Sequence, residues 1–204
     1  MVNFSIGQGD TLMTPLQMAV LYSAIANGGK IIVPQIAKSI VEPSGKVVQT
    51  FTPQVKGTLP IKKSTLKFLQ NSLRAVVTSG TAQGAFAGVG VEISGKTGTA
   101  QVFGKNPNGS AKDDTSWFAS YGPTENPQYS VVMMVSQGGF GASTSGVGVK
   151  DIYATLFGVT GNKIDPTKAV FPNGVPTTIA KVDLKKAASE VDLTGIKVGG
   201  VKLK

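Results

Sequence analysis

The chain has no cysteine and no histidine among its 204 residues. Without cysteine there can be no disulfide, no thiolate nucleophile and none of the usual zinc sites. Without histidine there is no imidazole general base, so acid–base work would fall to Lys, Asp, Glu or Tyr. No apolar run is long enough to cross a bilayer. Met1–Ser5 lacks the basic start and apolar stretch of a signal peptide. Nor is there a Lys/Arg cluster with interleaved aromatics, so no nucleic-acid partner is expected. No metal and no cofactor is expected either.

What is present is an apolar fraction of 41%, enough to argue for a packed core rather than a disordered chain. The net charge of +9 is spread along the sequence, which fits a protein working near an anionic cell surface. The pattern predicts a helix over 14–26, with Thr14 as cap, Pro15 in the first turn, Gln17 completing a capping box and Asn27-Gly28-Gly29 as the exit. Apolar residues nearly all round this helix predict deep burial. Residues 37–42 and 46–51 flank Pro43-Ser44-Gly45 as a hairpin. A second helix over 64–78 carries the stripe Leu66, Leu69, Leu73, Val76, Val77 and stops at Ser79-Gly80. Three strands are expected over 91–103, 116–122 and 129–136, joined by loops short enough for an antiparallel meander. A third helix is expected near 149–157, with Val149, Ile152, Tyr153 and Leu156 on its apolar face. Beyond Gly158 the periodicity weakens and residues 159–204 read as an appendage, with Asp183–Glu190 as a short helix. The fold class is α/β, an antiparallel β-sheet flanked by helices.

Gly90-Val91-Glu92-Ile93-Ser94-Gly95-Lys96-Thr97 satisfies the phosphate-loop pattern, but its intervening residues suit a strand. Gly98 after the Thr is poor for starting a helix, and Val102-Phe103 continues strand character, so nucleotide binding is not expected. Read instead as a strand, Ser94–Ala100 places Thr97 and Thr99 on one face, with Lys96 beside them. Two hydroxyls and a cation can hold a carboxylate, and Gly98 lets a ligand backbone approach. Taken alone, the heptapeptide is equally an edge strand with a solvated lysine. Ser64-Thr65-Leu66-Lys67 matches the S-x-x-K pattern of an activated serine. Its approach through Lys62-Lys63 reads as a plain, exposed helix N-cap instead. Asp113-Asp114 reads as a solvated loop, Trp117-Phe118 as core or groove wall, and Gly138–Gly148 as a loop beside a site.

The order of segments resembles the transpeptidase domain of penicillin-binding proteins. Ser5-Ile6-Gly7-Gln8-Gly9 and Thr14-Pro15-Leu16-Gln17-Met18-Ala19 resemble the approach to that family's central helix, and Asn27-Gly28-Gly29 its exit. Val76-Val77 to Gly80-Thr81-Ala82 resembles the end of the next helix, and Ser94–Ala100 the Lys-Thr-Gly-Thr strand. The resemblance covers roughly residues 3–157 and is strongest to the class B, high-molecular-weight enzymes. It divides the chain into 1–158, the C-terminal part of a transpeptidase domain truncated on its N-terminal side, and 159–204, an extension of unread role.

The resemblance implies a peptidoglycan D,D-transpeptidase at the outer face of the bacterial cytoplasmic membrane. It implies peptidoglycan stem peptides and β-lactams as ligands, and elongation or division proteins as partners. The acyl-serine nucleophile, its Lys and the S-x-N motif precede Gly7-Gln8-Gly9 in the family, so no catalytic nucleophile is expected in this chain. Thr97 and Thr99 would bind the substrate carboxylate, Lys96 would support it, Gly98 would admit it, and the Thr99 backbone N–H would form half of the oxyanion hole. A serine β-lactamase, a β-lactam sensor and a non-catalytic peptide-binding module are the alternatives.

Overall fold

The computed structural model describes residues 7–9, 11–160 and 163–170, with the short segments 197–198 and 201–202. No helix among the described residues is long and apolar enough to cross a membrane. The helix expected over Asp183–Glu190 lies outside the described residues, as do Ser5 and Ile6.

Two compact units divide the chain. The first comprises Met1–Pro34 and Gln54–Val175. Its centre is a three-stranded antiparallel sheet. The strands that precede it in the chain are β1 (Lys30–Ile32), β2 (Ser39–Val41), β3 (Val47–Thr50) and β4 (Val55–Thr58). The central sheet is then β5 (Ser94–Ala100), β6 (Thr115–Gly122) and β7 (Tyr129–Val135), in that spatial order, as the meander predicts. Register fixes the faces. Lys96 lies opposite Ala119 and Gly98 opposite Trp117, while Thr97 lies opposite Phe118 and Thr99 opposite Ser116.

Helix α1 (Pro15–Ala26) starts with the expected capping box. The Thr14 hydroxyl accepts from the Gln17 N–H at 3.2 Å, and the Gln17 side chain accepts from the Thr14 N–H at 2.8 Å. Deep burial holds only for its second half, where Tyr22, Ala24 and Ile25 are buried. Leu16 is 60% exposed and the preceding Leu12 91%. Tyr22 and Ile25 pack with Leu66, Ala119 and Tyr121 on one face of the sheet, with Met18 and Leu21 partly buried against them, whereas Leu16 lies outside this cluster.

Helix α2 (Lys63–Thr78) is amphipathic as expected, but Ser64 is not its cap. Lys62 occupies that position without a side-chain cap bond, and Ser64 sits exposed inside the first turn. A serine one position into the helix has its backbone already helical, so its hydroxyl no longer faces the free N–H groups. The opposite sheet face packs a second core of Val77, Phe86, Val89, Val91, Ile93, Phe118, Val149 and Tyr153. It is roofed by α3 (Gln83–Phe86), a π-helical turn Ala142–Gly146 and α4 (Val147–Phe157). The Phe86 and Phe118 rings meet in a tilted contact with centroids 5.0 Å apart. Helices therefore cover both faces, which is the α/β arrangement expected.

Sequence reading missed the pairing of β1 with β4, because 22 intervening residues hide it from any short-range pattern. The second unit comprises Gln35–Pro53 and Pro176–Lys204. Its described part is the expected hairpin β2–β3 and the short antiparallel pair β10 (Lys197–Val198) and β11 (Val201–Lys202). Strands β8 (Val159–Thr160) and β9 (Lys163–Ile164) pair within the first unit.

Two stability predictions arise from this packing. A Cβ at Gly95 would stand 2.8 Å from the Ala119 carbonyl oxygen and 2.8 Å from the Phe118 ring. One of these neighbours is backbone in the central strand and cannot step aside. Gly95→Ala is therefore expected to lower the unfolding free energy by about 1–3 kcal/mol, measured by urea denaturation. The second concerns Tyr22, whose phenol is pushed up to about 12, first by burial and then by the neighbouring Tyr121. A raised folded pKa means the stabilisation is whole below pH ~10 and is lost as pH rises from ~10 through ~12. Stability should fall across that window by on the order of 2–3 kcal/mol through this group, and Tyr22→Phe should flatten the fall.

Candidate functional site

Strand β5 is the edge of the central sheet, bonded to β6 on one side only. On its open side the Lys96 ammonium donates to the Thr97 carbonyl at 2.9 Å, and the Gln8 amide donates to the Thr99 carbonyl at 3.3 Å. In a strand the N–H and C=O of one residue point the same way. The N–H groups of Thr97 and Thr99 therefore face the open edge too, an arrangement that can receive a developing oxyanion.

The side chains divide between the two faces. Thr97 and Thr99 share one face, as alternation requires. The Thr97 hydroxyl lies 2.9 Å from that of Thr81, in the turn after α2, and the Thr99 hydroxyl accepts from the Gly141 backbone N–H at 3.2 Å. Lys96 belongs to the other face but curls over the edge, so that its Nζ also donates to the Thr97 hydroxyl at 3.2 Å. Lys96 is exposed and Thr97, Gly98 and Thr99 are half-buried, leaving the group within reach of a ligand.

A groove of about 370 Å³ runs along the Lys96 face of β5. Met13, Met18, Leu21 and Trp117 give it apolar walls, and Lys96 and Gln8 supply polar groups. Gly98 faces it, and a Cβ there would meet the Trp117 Cβ at 3.0 Å, so glycine keeps the floor flat. Trp117 is thus groove wall and Phe118 core; the adjacent residues take opposite faces.

The other motifs resolve separately. Lys96 lies in mid-strand with no helix beginning at it, so the phosphate-loop match has no phosphate-loop structure. Ser64 and Lys67 are both exposed on α2, and neither lines the groove beside β5. Asp113 is exposed, and the Asp114 carbonyl accepts from the Gly139 N–H at 2.9 Å. Sequence reasoning missed Gln8, Thr81 and Gly141 as members of this site. The resemblance marked the segments holding Gln8 and Thr81, and Gly141 lay in the glycine-rich stretch. Nothing in the linear pattern joins residues 42 and 91 positions from Thr99 to it.

The antiparallel sheet packed against helices matches solved penicillin-binding protein structures over part of their chains. The family model for the penicillin binding protein transpeptidase domain matches residues 1–156, and the chain belongs to that family. Penicillin-binding protein 2A of Bacillus subtilis (strain 168) is 34% identical over 143 residues, covering 66% of this chain and 20% of that protein. Peptidoglycan D,D-transpeptidase MrdA of Haemophilus influenzae is 31% identical over 162 residues, covering 71% of this chain and 24% of that protein. Among solved structures, penicillin-binding protein A from M. tuberculosis as an imipenem acyl-enzyme complex superposes with a TM-score of 0.63 at 26% identity. That match covers 76% of this chain and 33% of the other. The chain spans between 20% and 29% of the length of the first curated relatives it matches.

Proposed function

We propose that this chain is the C-terminal part of a peptidoglycan D,D-transpeptidase, supplying the wall of the active site that holds the substrate's terminal carboxylate. The observation that carries this reading is one cluster on an edge strand. Lys96 Nζ stands 3.2 Å from the Thr97 hydroxyl, Thr99 shares that face, and the strand's own N–H groups point outward. A carboxylate accepts hydrogen bonds and gives none, so hydroxyls beside an ammonium suit it. The Thr99 N–H on the open edge would serve as half of an oxyanion hole.

In this reading residues 1–158 belong to the transpeptidase domain and 159–204 form an extension. The reaction joins stem peptides through an acyl-serine, and the serine, its lysine and the second hydroxyl–amide motif come from sequence outside these residues. β-Lactams acylate the same serine. The domain works at the outer face of the cytoplasmic membrane, beside elongation or division proteins. On this reading the rest of the domain would cover the exposed Leu12, Met13 and Leu16. The test is to supply the full-length protein with a stem peptide ending in D-Ala-D-Ala and a second peptide carrying a free amine. Release of D-alanine with formation of a new peptide amide supports the reading. Rapid hydrolysis of penicillin without cross-linking would instead favour a β-lactamase, and reversible peptide binding without acylation a non-catalytic module.

A further inference from the structure

The two threonine hydroxyls of β5 are each held by a group outside the strand, and these contacts decide which way their protons can point. A hydroxyl has one proton to give and two lone pairs to receive with. A carboxylate can use it only if that proton is free to turn outward. The Gly141 N–H donates to the Thr99 hydroxyl, so the Thr99 proton must point elsewhere than Gly141. At Thr97 one lone pair receives the Lys96 ammonium. The exposed Thr81 hydroxyl, 2.9 Å away, is placed to fill the other.

We propose that Thr81 and the Gly141 backbone N–H are positioning residues that turn the Thr97 and Thr99 hydroxyls into donors for the ligand carboxylate. The inference rests on the reading of β5 as a carboxylate-binding strand. When a carboxylate arrives, the Thr81 hydroxyl donates to Thr97, and Thr97 donates to the carboxylate. Thr99 donates in parallel, one of its two lone pairs already occupied by the Gly141 N–H. No proton is transferred; the hydroxyls only rotate.

The position of Gly141 is built into the fold. A Cβ on it would stand 2.5 Å from the Gly98 oxygen and 2.6 Å from the Trp117 oxygen, so only glycine can lie against the strand here. The turn that carries it is anchored from below. The buried Ser116 hydroxyl donates to the Phe140 carbonyl at 3.1 Å, accepts from the Ser145 N–H at 3.1 Å and lies 2.8 Å from the Ser145 hydroxyl. The Gly146 N–H closes the turn on the Gly141 carbonyl at 2.8 Å, and the Thr144 hydroxyl closes it on the Gly138 carbonyl at 2.6 Å. Buried polar groups satisfied in this way hold one geometry, because any departure leaves them unpaired.

The test uses the full-length transpeptidase and two ligands, benzylpenicillin and its methyl ester, which differ in the carboxylate alone. Thr81→Val is expected to slow acylation by benzylpenicillin by about 5- to 10-fold, with the loss confined to the ligand that carries the free carboxylate. Thr81→Ser should restore the rate. Gly141→Ala should show the same selective loss by lengthening the bond to Thr99. Equal slowing with both ligands would mean that Thr81 and Gly141 only support the fold, and no slowing with either would mean that they do not orient the hydroxyls; either result overturns the inference. If Gly141→Ala fails to fold, the Thr81 pair decides alone. If Thr97→Val and Thr99→Val also show no selective loss, the failure belongs to the reading of β5 itself.

Discussion

Thr97→Val and Thr99→Val, each introduced into the full-length protein, are expected to slow acylation by benzylpenicillin by roughly 10- to 150-fold. The size follows from the kind of bond removed. A hydrogen bond to a charged group contributes about 1.5–3 kcal/mol, more than one between neutral partners, and valine keeps the shape of threonine while removing the hydroxyl. Thr97 and Thr99 share the face that Lys96 overhangs, so each loss also leaves part of the ligand's charge unpaired. The double variant should lose less than the product of the two single effects, because neighbours on one ligand act as a unit. The second-order acylation rate with fluorescent penicillin is the readout. Unchanged rates in both single variants would remove β5 from the carboxylate site.

The second large effect concerns residues 1–204 alone. Incubated with fluorescent penicillin and then denatured, they are expected to show no covalent adduct by mass. Acylation needs a nucleophile beside its base. The S-x-x-K match here, Ser64 to Lys67, lies in the first turns of α2 with both side chains exposed to solvent, the opposite of a desolvated lysine beside its serine. On the proposed reading these residues supply a carboxylate cradle and the Thr99 N–H, and such groups accelerate a reaction only when the reacting pair is present. The proposed full-length transpeptidase should be labelled under the same conditions. A stoichiometric adduct on Ser64 would show that α2 carries a working nucleophile.

Much of this was legible in the sequence because the signals were local. The capping box at Thr14 and Gln17 joins residues three apart, and the structure forms it as read. The meander was legible from loop lengths, and the face shared by Thr97 and Thr99 followed from strand alternation alone. Where the reading went wrong, a local rule met a tertiary fact. Apolar residues around α1 predicted burial, yet Leu16 is exposed, since periodicity reports what a face is suited to touch and not what lies against it. Ser64 reads as a cap by residue type, but the helix begins one residue before it. Gln8, Thr81 and Gly141 reach β5 only through the fold. No spacing rule connects a turn after one helix, a segment before another and a glycine-rich loop to a single edge strand.

The central claim is that the edge of β5 holds the ligand's carboxylate while the Thr99 N–H receives the acyl oxygen. The most direct measurement is a crystal structure of the full-length protein acylated by penicillin. The account predicts the ligand carboxylate within about 3 Å of both the Thr97 and Thr99 hydroxyls, and the acyl carbonyl oxygen at a similar distance from the Thr99 backbone nitrogen. A ligand seated with its carboxylate away from β5, or an acyl oxygen bound by groups other than Thr99, would contradict it.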